Sequence, residues 1–563
     1  MGFLFLILSA HVVVVPFILR PVYFMVADDY LLNYIANGSY GTENSDHLIY
    51  IQTPLGRLLK MLYGIAPGVN WYMVLLAVMI AVSFAVIMYV IYKRSGSIVF
   101  ALLPLLPELF IVPFFFTYTV VAIIAAVAAG AAMSMDLQAK ERKWLWIILS
   151  AVLFGLSFNL RKDSFLVGTA LACPVMLDAA VTGVMGNETP ALKNVFSLKT
   201  LTAVLRKALI PCLSFLLVIG ISAVLNHMDY SSEEWREFTR YNQARTDVVD
   251  YIMPPYDYME EILTELGLTK TDYDMLEGWK FCEKAVFSTE TLEKLAKRTH
   301  EYVTNDLRLS YVKRVATKYN VMLVLIPLIV WVFLLVRSRD LHTLSGILIL
   351  LIYAALLIVL AFIKMRFVHR VGMPMALGAV FSLLLCEYPL NAEAKEKRFS
   401  VPRYAAAAVL GILILVFGVS YLRDYRNTNY NSFRSLALPD APQIREELRS
   451  HPETLYIMDA GILSNIYYYD LPVQQLKQTD DFKNIIRSGS WDSYSPRFYK
   501  QAVSYIDDPD HLLTALVRED CVRFVTLDSR GVAKFLGEQC GKKVRKEAEV
   551  LYDQSGVGIV RFM

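Results

Sequence analysis

Asp28-Asp29 stands where a long apolar stretch runs out, and these are the residues of the chain best placed to do chemistry. Residues 2–27 are almost entirely apolar, interrupted by His11, Arg20 and two prolines, and a polar stretch follows Asp28-Asp29-Tyr30. Two carboxylates at a membrane–water boundary can accept the proton of an attacking hydroxyl. They can also serve the backbone, with Asp28 capping a short helix Asp29–Ala36 that stops at Asn37-Gly38. The residues leave both readings open, and a cap at Asp28 does not exclude chemistry at Asp29. Glu43, Asp46, His47, Gln52 and Arg57 follow in the same loop. Oxygen ligands of this kind suit a hard divalent cation, Mg or Mn. Asp28, Asp29, Glu43 and Asp46 are the candidate ligands, although their spacing matches no fixed metal motif.

A second constellation is cationic. Arg161-Lys162-Asp163 fills one very short connection between apolar segments, and Lys364, Arg366, His369 and Arg370 fill another. A lysine or arginine at the bilayer centre costs about 3 kcal/mol on insertion scales, so such residues call for a partner. Snorkelling to ordinary lipid phosphates would supply one, and so would a bound phosphate, which suits the forked guanidinium. Glu108, inside the apolar run Pro104–Pro113, is a third candidate, because an intramembrane carboxylate is functional by default. The prolines around it equally allow a broken segment that carries Glu108 to the surface.

The elements that must position these groups are membrane helices. Hydrophobic residues make up 56% of the 563 and charged residues 19%, with a mean hydropathy of +0.44. That excludes an ordinary soluble protein, and nothing in the composition points to nucleic acid. Apolar stretches long enough to cross a hydrocarbon core of about 30 Å are expected at 2–27, 71–92, 97–115, 117–135, 144–159, 165–186, 208–226, 319–336, 343–363, 367–386 and 404–422. The first lacks a basic leading segment and a small-residue cleavage site, so it reads as a retained span.

Lys93-Arg94, Lys140/Arg142/Lys143, Lys193/Lys199/Arg206/Lys207, Arg337/Arg339 and Lys395/Lys397/Arg398/Arg403 all fall on one side if the N-terminus is cytoplasmic. The other, extracytoplasmic side of the plasma membrane then receives the acidic pair, both arginine-bearing connections, the loop 227–317 and everything after 422.

The expected organisation is an N-terminal transmembrane module, 1–226, with its first outer loop at 28–70. A helical loop at 227–317, a second transmembrane module at 318–422 and an α/β domain at 423–563 follow. Trp235, Phe238, Tyr241 and Val248-Val249 recur at helical spacing over Glu233–Tyr251; Pro254-Pro255 ends that helix, and Ser288 starts another. Strands are expected at Thr454–Asp459, Val522–Asp528 and Val557–Phe562, with helices at Asp440–Ser450, Pro509–Val517 and Ser529–Glu538. Six cysteines make no disulfide framework, Cys521 with Cys540 being the one external pair to consider. No CxxC, HExxH, Walker or GxSxG motif is present, and no internal repeat.

The acidic pair ending the first span, a long outer loop with Gly56-Arg57, the many spans and the external C-terminal region together resemble the GT-C glycosyltransferases. More local stretches are similar to bacterial members of that superfamily: Thr117-Tyr118-Thr119, Asn159-Leu-Arg161-Lys-Asp163-Ser164, and Trp235-x-x-Phe238-x-x-Tyr241-Asn242-x-x-Arg245. The resemblance implies a polytopic α-helical fold and a polyprenyl-phosphate-sugar donor. It implies an envelope acceptor (glycan, lipid or protein) and, through Asp28 or Asp29, an aspartate acting as general base with inversion. Arg161, Lys162, Arg366 and Arg370 would then hold the donor phosphate, with Glu108, Asp163, Arg57 and His369 in support.

One departure is notable. Many members carry a second acid between the third and fourth spans, whereas Phe114–Tyr118 holds none, so Glu108 or Asp163 would have to replace it. The competing classes are an O-antigen-type polymerase or ligase, a lipid or polysaccharide transporter, and an envelope scaffold. The transferase reading requires Asp28 or Asp29 within about 10–15 Å of Arg161 and Arg366, the span of one ligand cavity.

Overall fold

The computed structural model describes residues 1–185, 197–335, 341–386, 401–427 and 435–563. Lys193, Arg337, Arg339, Lys395, Lys397 and Arg398, and the ends of two expected spans at 186 and 336, lie outside the described residues. Among the described residues, eight helices are long and apolar enough to cross a membrane: Gly2–Leu19, Trp71–Ser95, Tyr118–Gln138, Lys162–Met185, Leu198–Asp229, Leu344–Ile363, His369–Cys386 and Ala407–Tyr425. A bent pair, Asn305–Val315 with Asn320–Leu334, would make a ninth, and Trp144–Leu160 is a shorter apolar helix. The fold is that of a polytopic α-helical membrane protein.

Two expected spans differ in the structure. The first stops at Leu19 rather than 27, because Arg20 precedes Pro21 and is extended there (φ −156°, ψ 162°); a residue before proline is disfavoured in the α region. The stretch 97–115 is split into Ile98–Leu102 and Leu105–Phe114 around Pro104.

Tyr118–Gln138 is the hub of the bundle, with 94% of its apolar window buried, packed by Lys162–Met185, Trp144–Leu160, Trp71–Ser95 and His369–Cys386. Its composition explains this position. Alanine and glycine let backbones close in where lipid supplies no hydrophobic drive. A Cβ on Gly130 would sit 2.5 Å from the Ala172 side chain, and one on Gly168 would sit 2.5 Å from the Ile123 carbonyl oxygen.

At the Asp28 end of the bundle sits a five-stranded sheet of order β2-β1-β3-β5-β4. Its strands are β1 (Leu455–Met458), β2 (Ile485–Arg487), β3 (Val522–Thr526), β4 (Lys546–Leu551) and β5 (Gly558–Phe562). β1, β2 and β3 are parallel, β5 runs against β3, and β4 runs against β5 and so returns to the direction of the first three. Alternation along β1 sends Tyr456 and Met458 to one face and Leu455 and Ile457 to the other, and both faces are buried. The first face packs on the core that contains Tyr30 and Tyr34. The second shares a core with Tyr241, Val248, Leu276 and Leu292 of the helices between residues 233 and 302. These helices include Glu233–Val249, whose N-terminus is capped by Ser232, and Thr289–Tyr302, capped by Ser288. All six cysteines are free, Cys521 and Cys540 included.

Candidate functional site

The acidic pair opens the helix Ala27–Ala36, and Val26 rather than Asp28 occupies its N-cap. The cap expected at Asp28 is therefore absent. Both carboxylates lie in the first turn, where the helix N-terminus favours negative charge. Successive helical residues point about 100° apart, so neighbours in sequence face different surroundings. Asp28 lines a cavity. Its Oδ2 accepts from Arg370 Nη1 at 3.1 Å and its Oδ1 from Trp491 Nε1 at 3.2 Å.

Asp29 is fully buried, and its Oδ1 accepts from the Tyr72 hydroxyl at 2.8 Å and from the Tyr118 amide at 3.0 Å. Burial pushes its pKa up to about 7, offset in part by the hydrogen bonds from the Tyr118 amide and Tyr72. Asp29 thereby pins the start of the helix Tyr118–Gln138.

The cavity holds about 890 Å³ and gathers Asp28, Arg161, Lys162, Asp163, Arg366 and Arg370. Two separate connections deliver the cations. Arg161 is the single non-helical residue between Trp144–Leu160 and Lys162–Met185. Its guanidinium lies over the rings of Tyr118 (4.8 Å) and Tyr50 (5.5 Å) and donates to Tyr118 Oη and Thr119 Oγ1. Cation–π contact and these bonds fix its orientation. Since Tyr118 is also the residue whose amide Asp29 holds, the second aspartate supports the arginine platform indirectly.

Arg366 follows a π-helical turn, Val359–Ile363, and Met365 in the left-handed region (φ 45°). Such a backbone is costly for methionine. It is held by the Lys364 amide on the Val359 carbonyl and the Arg366 amide on the Leu360 carbonyl, each at 2.8 Å. Arg366 lies over the Tyr251 ring at 5.4 Å. Arg370 stands in the first turn of His369–Cys386.

Other expected residues lie elsewhere. Glu108 is buried between helices and accepts from Ser9 Oγ, away from the cavity. Arg57 pairs with Asp229 and, at 3.5 Å, with Asp46. His369 turns to Tyr421, with Nδ1 2.6 Å from its hydroxyl oxygen. Glu43 is bound by Lys500 at 2.7 Å, and Asp46 by His47 at 2.9 Å, which holds its pKa down at about 2.

The four carboxylates considered for a metal are thus not gathered. Each Asp28 oxygen faces an N–H donor, Asp29 is sealed, and Glu43 and Asp46 line a different cavity. This donor set does not fit a divalent cation, and among the described residues no group of three or more His, Cys, Asp or Glu could hold one.

Sequence reasoning missed Trp491, Tyr50, Tyr251, Trp279 and Tyr469, which also line the cavity. Trp491 follows β2 in Ser488-Gly-Ser-Trp491. The loop is set by Gly489, where a Cβ would lie 2.3 Å from the Trp279 carbonyl oxygen, and by buried Arg497, which bonds Asp492 at 2.9 Å and the Tyr40 carbonyl at 3.2 Å. The signal for it was a glycine in a polar loop, but three residues of β2 gave no alternation to read.

No family model and no curated protein matches this chain. Two solved structures of ArnT from Cupriavidus metallidurans are similar to it, one bound to undecaprenyl phosphate and one in the apo state. They are 13% and 12% identical to it, each with a TM-score of 0.37, covering 99% of this chain and 97% of theirs.

Proposed function

We propose that the chain is a GT-C-type membrane glycosyltransferase. In this reading it moves a sugar from a polyprenyl-phosphate donor to a cell-envelope acceptor, with inversion, at the extracytoplasmic face of the plasma membrane. The observation that carries the reading is the meeting of Asp28 with Arg161, Lys162, Arg366 and Arg370 in one cavity at one end of the bundle. A lipid-borne donor is favoured by the helix His369–Cys386. Three and seven residues beyond Arg370, Met373 and Leu377 line an apolar groove with Leu106, Phe110, Ile326 and Phe417. Residues at that spacing share a helix face, so the face that presents the arginine continues into a surface suited to a prenyl chain.

The donor phosphate settles among Arg161, Lys162 and Arg366 and draws Arg370 from Asp28. Released from that ion pair, the Asp28 Oδ2 is free to face the acceptor hydroxyl. It takes the proton of the acceptor hydroxyl as that oxygen bonds the anomeric carbon. The carbon–oxygen bond to phosphate breaks, and its electron pair leaves on the polyprenyl phosphate, whose charge the guanidinium groups neutralise. Trp491 holds the other Asp28 oxygen in place through the attack. The segment 227–317 and residues 435–563 form one extracytoplasmic unit beside the cavity, with the N-terminus cytoplasmic.

The test is a panel of polyprenyl-phosphate sugars given to the purified full chain in nanodiscs. Release of polyprenyl phosphate from at least one donor is expected; no release from any, by folded protein, would contradict the reading.

A further inference from the structure

A second cavity, of about 1230 Å³, lies between the first outer loop, the helix Glu233–Val249 and the segment Tyr494–Val503. It abuts the first, since Phe238 lines both. Three properties define what fits it. Its charges nearly balance: Glu43, Asp46, Glu233, Glu234 and Glu237 face Lys60, Arg236, Arg240, Lys284, Arg497 and Lys500. Much of this charge is already locked in pairs, Lys500 with Glu43 at 2.7 Å and Arg240 with Glu293 at 2.6 Å. A phosphorylated or carboxylated ligand gains little from such a lining, whereas hydroxyl groups can donate to its carboxylates and accept from its ammonium and guanidinium groups.

The second property is aromatic. Trp235 and Tyr499 are half-buried and present part of their rings to the cavity. Trp235 is held rigid, with His47 stacked at 4.3 Å and 8° and Tyr230 edge-on at 5.0 Å. A rigid aromatic surface beside dense hydrogen-bonding groups suits a ligand with one apolar and one polar aspect, which is the character of a sugar ring. The third property is size. The volume exceeds that of ordinary small-molecule sites, about 300–1,000 Å³, and calls for several rings rather than one.

From these we infer that the second cavity binds an uncharged oligosaccharide as the acceptor, whose terminal hydroxyl passes Phe238 to reach Asp28. The inference rests on the transferase reading and names the acceptor class for it. Phosphate-bearing lipid acceptors are disfavoured by the balanced lining, in contrast to the cation-rich first cavity.

The experiment uses the full chain in nanodiscs with a donor that it turns over. Neutral α- and β-linked oligosaccharides of roughly three to six hexose or N-acetylhexosamine units are compared with their terminally phosphorylated counterparts. Transfer to a neutral oligosaccharide is expected with the lower KM. Trp235→Ala should raise that KM by about tenfold and Trp235→Phe should restore most of the loss, while the KM for donor changes little in either. Release of polyprenyl phosphate to water with no transfer to any neutral oligosaccharide overturns the inference and leaves the transferase reading standing. A lower KM for the phosphorylated series, or equal acceptor KM in Trp235→Ala and wild type, also overturns it. Absence of donor release under every condition overturns both.

Discussion

At the scale of single residues, the two adjacent aspartates have different surroundings because successive positions on a helix point about 100° apart. Asp28 faces the cavity between Arg370 and Trp491, while Asp29 is sealed against Tyr72 and the Tyr118 amide. Burial raises the Asp29 pKa from 3.8 to about 7, so the folded protein keeps a proton that the unfolded chain gives up. The stability contributed by that proton is whole below pH 3.8 and is lost as pH climbs through about 7. Asp29→Asn keeps an acceptor oxygen for both bonds and removes the titration. Thermal unfolding measured at several pH values from 5 to 8 should show the variant losing less stability with rising pH than wild type; parallel curves would refute this assignment. At the proposed phosphate site, Arg161→Lys keeps the charge and loses the guanidinium contact with the Tyr118 and Tyr50 rings. Its donor kcat/KM should fall by about tenfold or more, read from initial rates of polyprenyl phosphate release.

At the scale of elements, three connections bring the groups together: the one-residue break at Arg161, the π-helical turn before Arg366, and the loop after β2. Trp491→Phe retains the ring and removes only the N–H that holds Asp28. It should lower kcat by about tenfold or more, the worth of one hydrogen bond to a charged group, with donor KM nearly unchanged. Gly489→Ala drives a Cβ into the Trp279 carbonyl oxygen; it should displace the loop and lower kcat more than Trp491→Phe does, in the same assay.

The residues of the first two connections were legible in the sequence, because charge in a short break between apolar runs stands out. The loop with Trp491 was not, because its role comes from a contact across more than 450 residues of chain. Glu108 misled for a related reason. An intramembrane carboxylate signals function by its burial cost, and here it is buried outside the cavity, with Oε1 accepting from Ser9 on a neighbouring helix and Oε2 making no hydrogen bond among the described residues. The strands β1, β3 and β5 were readable from their β-branched and aromatic residues, whereas β4, with Lys546, Glu547 and Glu549, carries the charge of an exposed edge.

At the scale of the whole molecule, the polar end is one piece. The sheet buries one face against the core of the first outer loop and the other against the helices from 233 to 302. The expected division at residue 423 therefore cuts through shared cores. The fragment 435–563 made alone would lose the part of this shared core that Tyr241, Val248, Leu276 and Leu292 supply. It should be insoluble or show no protected amides in hydrogen exchange, and a stably folded fragment would contradict this. In the bundle, Gly168→Val would force a side chain against the Ile123 carbonyl oxygen. It should abolish a monodisperse peak in size-exclusion chromatography, because the hub helix has no room to retreat.

The central claim is that Asp28 is the base and that Asp29 is its support. The most direct measurement is kcat for polyprenyl phosphate release by Asp28→Asn and Asp29→Asn side by side, in protein shown to be folded by thermal unfolding. Asp28→Asn should fall by about 100-fold or more, the usual share of a general base, while Asp29→Asn keeps most of its rate. Full activity in Asp28→Asn, or a larger loss in Asp29→Asn than in Asp28→Asn, would contradict it.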